Sequence, residues 1–310
     1  MDLAALDIFR TTAAEQSVTR AATRLGRAPS NISTRIQQLE SDLGVALFDR
    51  DGKRMGLTEQ GRLFLTYAEQ ILGLAQEARQ QLHPDSPSGR LRLGAMEAAL
   101  ASRLAAPLAA FASAWPDVAL EISAAPSAPL LAALRANRVD CALVAAPPEG
   151  WGPMQDLDLC PLYREDLRLL LPPDHPPVQS AQDLRLDRLA AFAQGCSYRR
   201  YGEDWLHQAG RKAQVQEVGS YHLMYACTVA GSCLSVMPQS VAGLLGHLGP
   251  VNSLALGPVE TCLASRKGYA TAAFRAWRGQ LLETARPATR PAAQPATRPA
   301  TQPAIPRPLP

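Results

Sequence analysis

The sequence lacks several things, and each absence excludes a class of function. No run approaches the roughly 18 uninterrupted apolar residues that a membrane-spanning helix needs. The opening MDLAALDIFRTT carries acids where a secretion signal would carry an apolar core. A cytoplasmic protein with no membrane partner is therefore expected. The cysteines (Cys141, Cys160, Cys196, Cys227, Cys233, Cys262) are scattered, with no C-x-x-C pair and no histidine beside them at zinc spacing. No metal site and no cofactor are expected, and the thiols should be reduced and mostly buried. Cys227 and Cys233, six apart, form the one candidate redox pair. A G-x-S-x-G elbow, a phosphate loop and a paired-histidine motif are all missing, so no enzyme is expected and no catalytic residue is assigned.

The net charge of +3 is no evidence for nucleic-acid binding. The last stretch holds Arg286, Arg290, Arg298 and Arg307 and no acid, so everything before it is slightly acidic. Local pattern must carry the argument. In RPATRPAAQPATRPATQPAIPRPLP a proline recurs every four residues from Pro287 to Pro303, which forbids helix and sheet. Residues 284–310 read as a solvated, partly polyproline-II tail.

Five regions separate. Residues 1–58 hold closely spaced short amphipathic segments, and 59–82 one unbroken helical pattern. Residues 83–89, HPDSPSG, read as a hinge by composition. From 90 to 283 short apolar runs alternate with helical patterns, as in α/β units, and the tail follows.

In the first region Leu3, Leu6 and Phe9 mark the inner side of one helix. Ser17 is a good N-cap for a second, with Val18, Ala21, Ala22 and Leu25 at helical spacing and Gly26 to end it. Pro29 suits the first turn of a third helix, whose apolar face is Ile32, Ile36, Leu39 and Leu43. Two helices joined by so short a turn and braced by a third match a helix-turn-helix. Ser30, Asn31, Ser33, Thr34, Arg35, Gln37 and Gln38 then face outward, side chains of the kind that reach base edges and phosphates. Residues 17–39 also hold Arg20, Arg24, Arg27 and Arg35 with no acid. The alternative is a small bundle with a solvated polar face. The next residues favour the first reading. Asp51-Gly52 is a hairpin-turn signal ringed by Arg50, Lys53 and Arg54, which predicts a basic wing.

Ala21-Ala22, Leu25, Ser33, Arg35, Ile36, Leu39-Glu40, Leu43-Gly44, Leu47-Phe48, Arg50, Leu57-Thr58 and Gly61 together resemble the N-terminal signature of LysR-type transcriptional regulators. The resemblance implies a winged helix-turn-helix, all-α with a small β wing, and contacts to double-stranded DNA from Pro29, Ser30, Ser33, Thr34, Arg35, Arg50 and Arg54. One departure is Ala28, where the family commonly has a capping hydroxyl. Its loss costs about 1 kcal/mol, offset in part by Pro29.

Thr58 caps the long linker helix, in which Leu63, Tyr67, Ile71, Leu74 and Ala78 form an apolar stripe. With no core of its own, that stripe calls for a second copy. The resemblance implies an antiparallel homodimer through 59–82, pairing into a tetramer, and so a partly palindromic operator. It also admits RNA polymerase as a partner.

Strand-like runs at 90–95, 117–123 and 139–145 alternate with helical runs at 101–114 and 128–136. A second unit comprises 190–193, a helix after Ser197, a strand near 214–219, a helix from Ser220, and 235–238. YREDLRLLLPPDHP and YACTVAGSCLSVMPQSV resemble the family's crossover and its late glycine–proline pattern. The resemblance implies an α/β effector domain of two subdomains, about 90–162 with 265–283 and about 163–264, like a periplasmic-binding-protein fold. Ligands of open α/β sheets sit beyond the strands' carboxyl ends, which points to Glu97, Ala99, Ser127, Ser197, Tyr198, Arg199 and Tyr221. Helices starting after Ser127 and Ser197 could offer N–H groups to an anion, and Arg199 a bidentate grip. Glu97 favours an amine instead, unless it or Arg199 pairs within the protein. A carboxylate, amino acid or amine is the expected effector. The alternative function is a solute-binding or sensing protein without a DNA role.

Overall fold

The computed structural model describes residues 1–49, 55–82, 87–148 and 150–285. The expected wing tip with Arg50 and Arg54, most of the hinge, and the proline-rich tail lie outside the described residues.

Helix α1 (Leu3–Glu15) starts at Asp2, whose carboxylate accepts from Ala5 N at 2.7 Å. Its inner face is Leu6, Ile8, Phe9 and Thr12, whereas Leu3, expected inside, is 39% exposed. Leu3 sits in the first turn, bordering a surface groove with Leu25 and Leu72. Helix α2 (Val18–Leu25) is capped by Ser17 and ended by Gly26 at φ 62°, a left-handed conformation cheap only for glycine. Helix α3 (Pro29–Leu43) begins at Ala28 with no side-chain cap. Ile32, Ile36 and Leu39 are buried, and Leu43 is half-buried.

Strands β1 (Phe48–Asp49) and β2 (Gly56–Leu57) pair antiparallel, Phe48 opposite Leu57, and form the base of the expected wing. Glu40 locks that base to α3, its Oε1 accepting from Leu47 N at 2.8 Å and Phe48 N at 3.1 Å. Phe9 joins the parts, its ring 5.4 Å from Phe48 and 5.2 Å from Phe64.

Helix α4 (Glu59–Gln81) is capped by Thr58 Oγ1, which accepts from Gly61 N at 2.9 Å. One face, with Ala68, Phe64, Leu65 and Leu72, packs on the N-terminal core. The opposite face is the apolar stripe read from the sequence. Leu63, Tyr67, Ile71, Leu74 and Ala78 are all exposed, Leu63 at 62% and Leu74 at 61%. The helix thus has a core contact the sequence reading missed, yet keeps an uncovered stripe. Glu77 also pairs with Arg266 at 2.9 Å, tying the helix to the C-terminal region.

That region is one eight-stranded sheet. Its elements are β3 (Gly89–Ala95), α5 (Glu97–Ser102), α6 (Ala105–Ala114), β4 (Val118–Ala124), α7 (Ser127–Arg135), β5 (Cys141–Ala145) and β6 (Leu157–Leu171). Then come β7 (Arg188–Ala191), α8 (Ser197–Gln208), β8 (Gln214–Glu217), α9 (Tyr221–Val229), β9 (Leu234–Pro238), α10 (Gln239–Leu245), β10 (Asn252–Arg266) and α11 (Ala272–Ala285). The strand order is β4-β3-β5-β10-β6-β9-β7-β8. Two parallel halves, β4-β3-β5 and β9-β7-β8, are joined by β6 and β10, which run antiparallel to each other over their length. Trp277 of α11, fully buried, stacks edge-on against Phe111 at 5.1 Å.

The single helix expected over 101–114 is two. Pro107 lies in the first turn of α6, and in a continuous helix its ring would strike the carbonyl one turn earlier and leave it unbonded. The chain therefore breaks at Arg103 and Leu104. Among the described residues no helix is long and apolar enough to cross a membrane. Cys141, Cys233 and Cys262 are buried, the other three cysteines half-buried, and all six are free.

Gly61 explains itself in this packing: a Cβ there would stand 2.0 Å from the Leu47 carbonyl oxygen. Backbone must move to admit it, so Gly61→Ala should cost about 2 kcal/mol or more of local stability. Amide hydrogen exchange in α1, α2 and α3 should accelerate while the C-terminal sheet is unchanged.

Candidate functional site

Two sites come out of this architecture. The first is the outer face of α3. Pro29, Ser30, Asn31, Thr34, Gln37 and Gln38 are exposed, while Ser33 and Arg35 are half-buried. Several of these groups are already engaged. Thr34 Oγ1 donates to Ser30 O at 2.9 Å, and Gln38 Nε2 donates to Asp42 at 2.9 Å. Arg35 lies 2.6 Å from Asp2, whose carboxyl that hydrogen bond holds below the ordinary range.

The acid-free stretch of sequence is therefore not acid-free in space. Arg24 pairs with Glu15 at 2.8 Å, and Arg20 bonds both the carboxylate and the carbonyl of the same residue. Arg27, between α2 and α3, is exposed and makes no ion pair among the described residues. It borders a surface groove shared with Ala4, Asp7 and Leu72 of α1 and α4.

The second site is a cavity of about 200 Å³ in the C-terminal region, between the two parallel halves of the sheet. Glu97 and Ser127 enter from the first half, and Ser197, Tyr198 and Tyr221 from the second. Five of the seven expected residues thus converge. Phe192, which the sequence reading did not select, lines it as well, its ring edge-on to Tyr221 at 4.9 Å.

Ala99 and Arg199 do not line it. Each stands two residues past a lining residue on a helix, about 200° around the axis. Ala99 is buried in the core. Arg199 is held at 2.9 Å by Glu203, one turn on, and at 2.8 Å by Glu217, and it donates to Phe192 O at 3.1 Å. The expected bidentate grip on a ligand is spent within the protein.

The start of α7 is also occupied. Ala128 N of α7 donates to Gly195 O across the cleft at 3.0 Å, and Pro129 has no N–H to give. At α8 no side chain caps the first turn, and burial pushes the Cys196 thiol up.

Inside the cavity, burial raises Glu97 above the usual carboxylate range, with Tyr221 N–H and His222 opposing that shift. Its Oε1 accepts from Tyr221 N at 3.4 Å. Ser127 Oγ accepts from Ala145 N at 3.2 Å. The hydroxyls of Ser197 and Tyr198 are buried with no partner; Thr261 adjoins Tyr198 without a hydrogen bond of normal geometry. Behind Tyr198, buried Glu165 bonds Arg103 at 2.6 Å and Ser240 at 2.7 Å, latching the two halves together.

The candidate redox pair is unbonded. Cys227 and Cys233 both contact Gln216, at 3.8 and 3.5 Å, and burial pushes the Cys233 thiol up, which disfavours the reactive thiolate. Among the described residues no cluster of three or more His, Cys, Asp or Glu could hold a metal.

Residues 3–62 match the family model described as "Bacterial regulatory helix-turn-helix protein, lysR family", and residues 84–286 match "LysR substrate binding domain". The chain belongs to the LysR family. Among LysR-type relatives, the HTH-type transcriptional regulator GltR of Bacillus subtilis is 33% identical, the alignment covering 78% of this chain and 81% of GltR. YofA of the same species is 28% identical over 92% of this chain and its own full length. The fold is shared with a full-length OxyR variant from Pseudomonas aeruginosa, at TM-score 0.67 and 23% identity, covering 92% of this chain and 95% of that one. It is shared also with full-length CbnR complexed with its target DNA, at TM-score 0.64 and 20% identity, covering 92% and 100%. The protein is thus a LysR-type transcriptional regulator with a helix-turn-helix module and an effector domain.

An unpaired buried hydroxyl costs stability until something bonds it. Tyr198→Phe should therefore leave the melting temperature of the free protein unchanged or raise it, worth up to about 1 kcal/mol.

Proposed function

We propose that this regulator grips duplex DNA through the outer face of α3, flanked by the wing, and that a small molecule in the C-terminal cleft tunes that grip. The observation that carries the DNA side is the exposure of Ser30, Asn31, Thr34 and Gln37 on a helix whose other side is fully packed. Exposed hydroxyls and amides on a rigid helix are the groups that read major-groove edges. Arg35 supports phosphate contact once it exchanges Asp2 for DNA, and Arg27 is ready without any exchange. Pro29 and Ser33 contact bases or nearby phosphates from the same helix, and Arg50 and Arg54 do so from the wing in this reading.

Two copies form the working unit. The stripe Leu63, Tyr67, Ile71 and Leu74 is too large an apolar surface to leave in water, and a second α4 covers it. The pair presents two recognition helices to a partly palindromic operator. Further pairing into a tetramer and contact with RNA polymerase complete the proposal. The working division is 1–58 for DNA, 59–82 for pairing and 90–283 for sensing. Effector binding changes how the two halves of the sheet close, which alters the arrangement of the assembly and the bending of its DNA.

In gel shifts on operator DNA, affinity should fall by about four orders of magnitude as salt rises from roughly 50 to roughly 200 mM. Arg27→Ala should reduce the salt slope by about two, one contact from each copy. Arg35→Ala should weaken binding with the melting temperature unchanged; equal affinity would remove Arg35 from the interface. In sedimentation, Leu74→Asp should shift the assembly toward monomer.

A further inference from the structure

The cleft in this protein is apolar, carries one carboxylate, and receives no cation from its lining residues. Its charge chemistry follows from that. The Arg199 guanidinium is consumed by Glu203 and Glu217, and at the start of α7 Ala128 N already donates to Gly195 O. An anion entering would therefore lose its water and meet Glu97 with no lining cation to offset either cost. A cation would find the reverse.

Glu97 makes a single long hydrogen bond, from Tyr221 N at 3.4 Å, so most of its accepting capacity is unused. Ser197 and Tyr198, 1% and 2% exposed, present the unpaired hydroxyls that a ligand's donors would satisfy. The Phe192 and Tyr221 rings stand against the same space and suit an apolar body beside an ammonium group.

We infer that the cleft takes a small apolar molecule bearing a protonated amine, the ammonium bonded to Glu97 and the apolar body lying against Phe192 and Tyr221. This rests on the reading of the cleft as the effector site. The cavity of about 200 Å³ bounds the size. A cavity of about 150 Å³ holds benzene, so a single ring with a short amine arm fits.

Calorimetry on the full chain with benzylamine, benzyl alcohol and benzoate tests the assignment. Benzylamine should bind at least about tenfold more tightly than either analogue, and Glu97→Gln should abolish that preference. Circular dichroism should show Glu97→Gln folded as the parent. Benzoate matching benzylamine, a preference that survives Glu97→Gln, or no binding of any probe at millimolar concentration would overturn the amine assignment. Ala124→Trp, from an exposed position on the rim, separates this from the underlying reading. If that variant blocks all probes while benzoate equals benzylamine, the cleft stands and the amine class falls. If benzylamine binds it undiminished, the cleft itself is not the site.

Discussion

The pairing of β6 with β10 is the constraint on which the C-terminal region depends. The two strands run antiparallel from Asn252 opposite Leu171 to Arg266 opposite Leu157, and each passes from one half of the sheet to the other. Because the chain crosses twice, both parallel halves become parts of one sheet, and their carboxyl ends open toward a shared gap. Ala95 and Ala124 end strands in one half, and Ala191 and Glu217 end strands in the other. The residues just beyond those ends are the ones that meet in the cavity, as expected for a ligand site in an open α/β sheet. The latch of Arg103, Glu165 and Ser240 lies between the same halves, so any change in cleft closure must work against charge-assisted hydrogen bonds in a buried place.

The N-terminal module follows a different logic. It has its own core around Phe9, and Glu40 bonds the backbone of Leu47 and Phe48. This fixes the wing base relative to α3 with hydrogen bonds a longer or shorter side chain could not reproduce. The positive charge nearby is paired: Asp2 and Glu15 occupy Arg35, Arg20 and Arg24. Exposed pairs of this kind are individually weak, so exchanging them for phosphate costs little.

Much of this was legible from local chemistry. Ser17 and Thr58 cap the helices they were expected to cap, the helix expected from Ser220 is there, and Gly26 ends α2 in the conformation its sequence position implies. The stripe on α4 was read from spacing alone, since helical geometry places those residues in one line. Pro107 should have divided the 101–114 helix and was passed over because the alanine-rich flanks look continuous. Strands β6 and β10 were harder. Pro161 and Pro258 interrupt them, and their charged middles obscure any alternation, because these strands cross between halves rather than lie in one buried layer. Of the candidate cleft residues, Arg199 failed although Glu203 stands one helical turn away, a pairing signal that was present in the sequence.

What the sequence by itself determined is everything set by neighbours along the chain: caps, turns, amphipathic faces, and which helix shows polar groups outward. These depend on contacts within a turn or two, which residue order dictates directly. The tertiary structure alone decided which charges are free. Asp2 reaches Arg35 across 33 positions and Glu217 reaches Arg199 across 18, and no local pattern encodes such meetings. The chemical character of both sites turns on those distant pairings, because a cation already neutralised within the fold leaves a cavity to be ruled by its one remaining carboxylate.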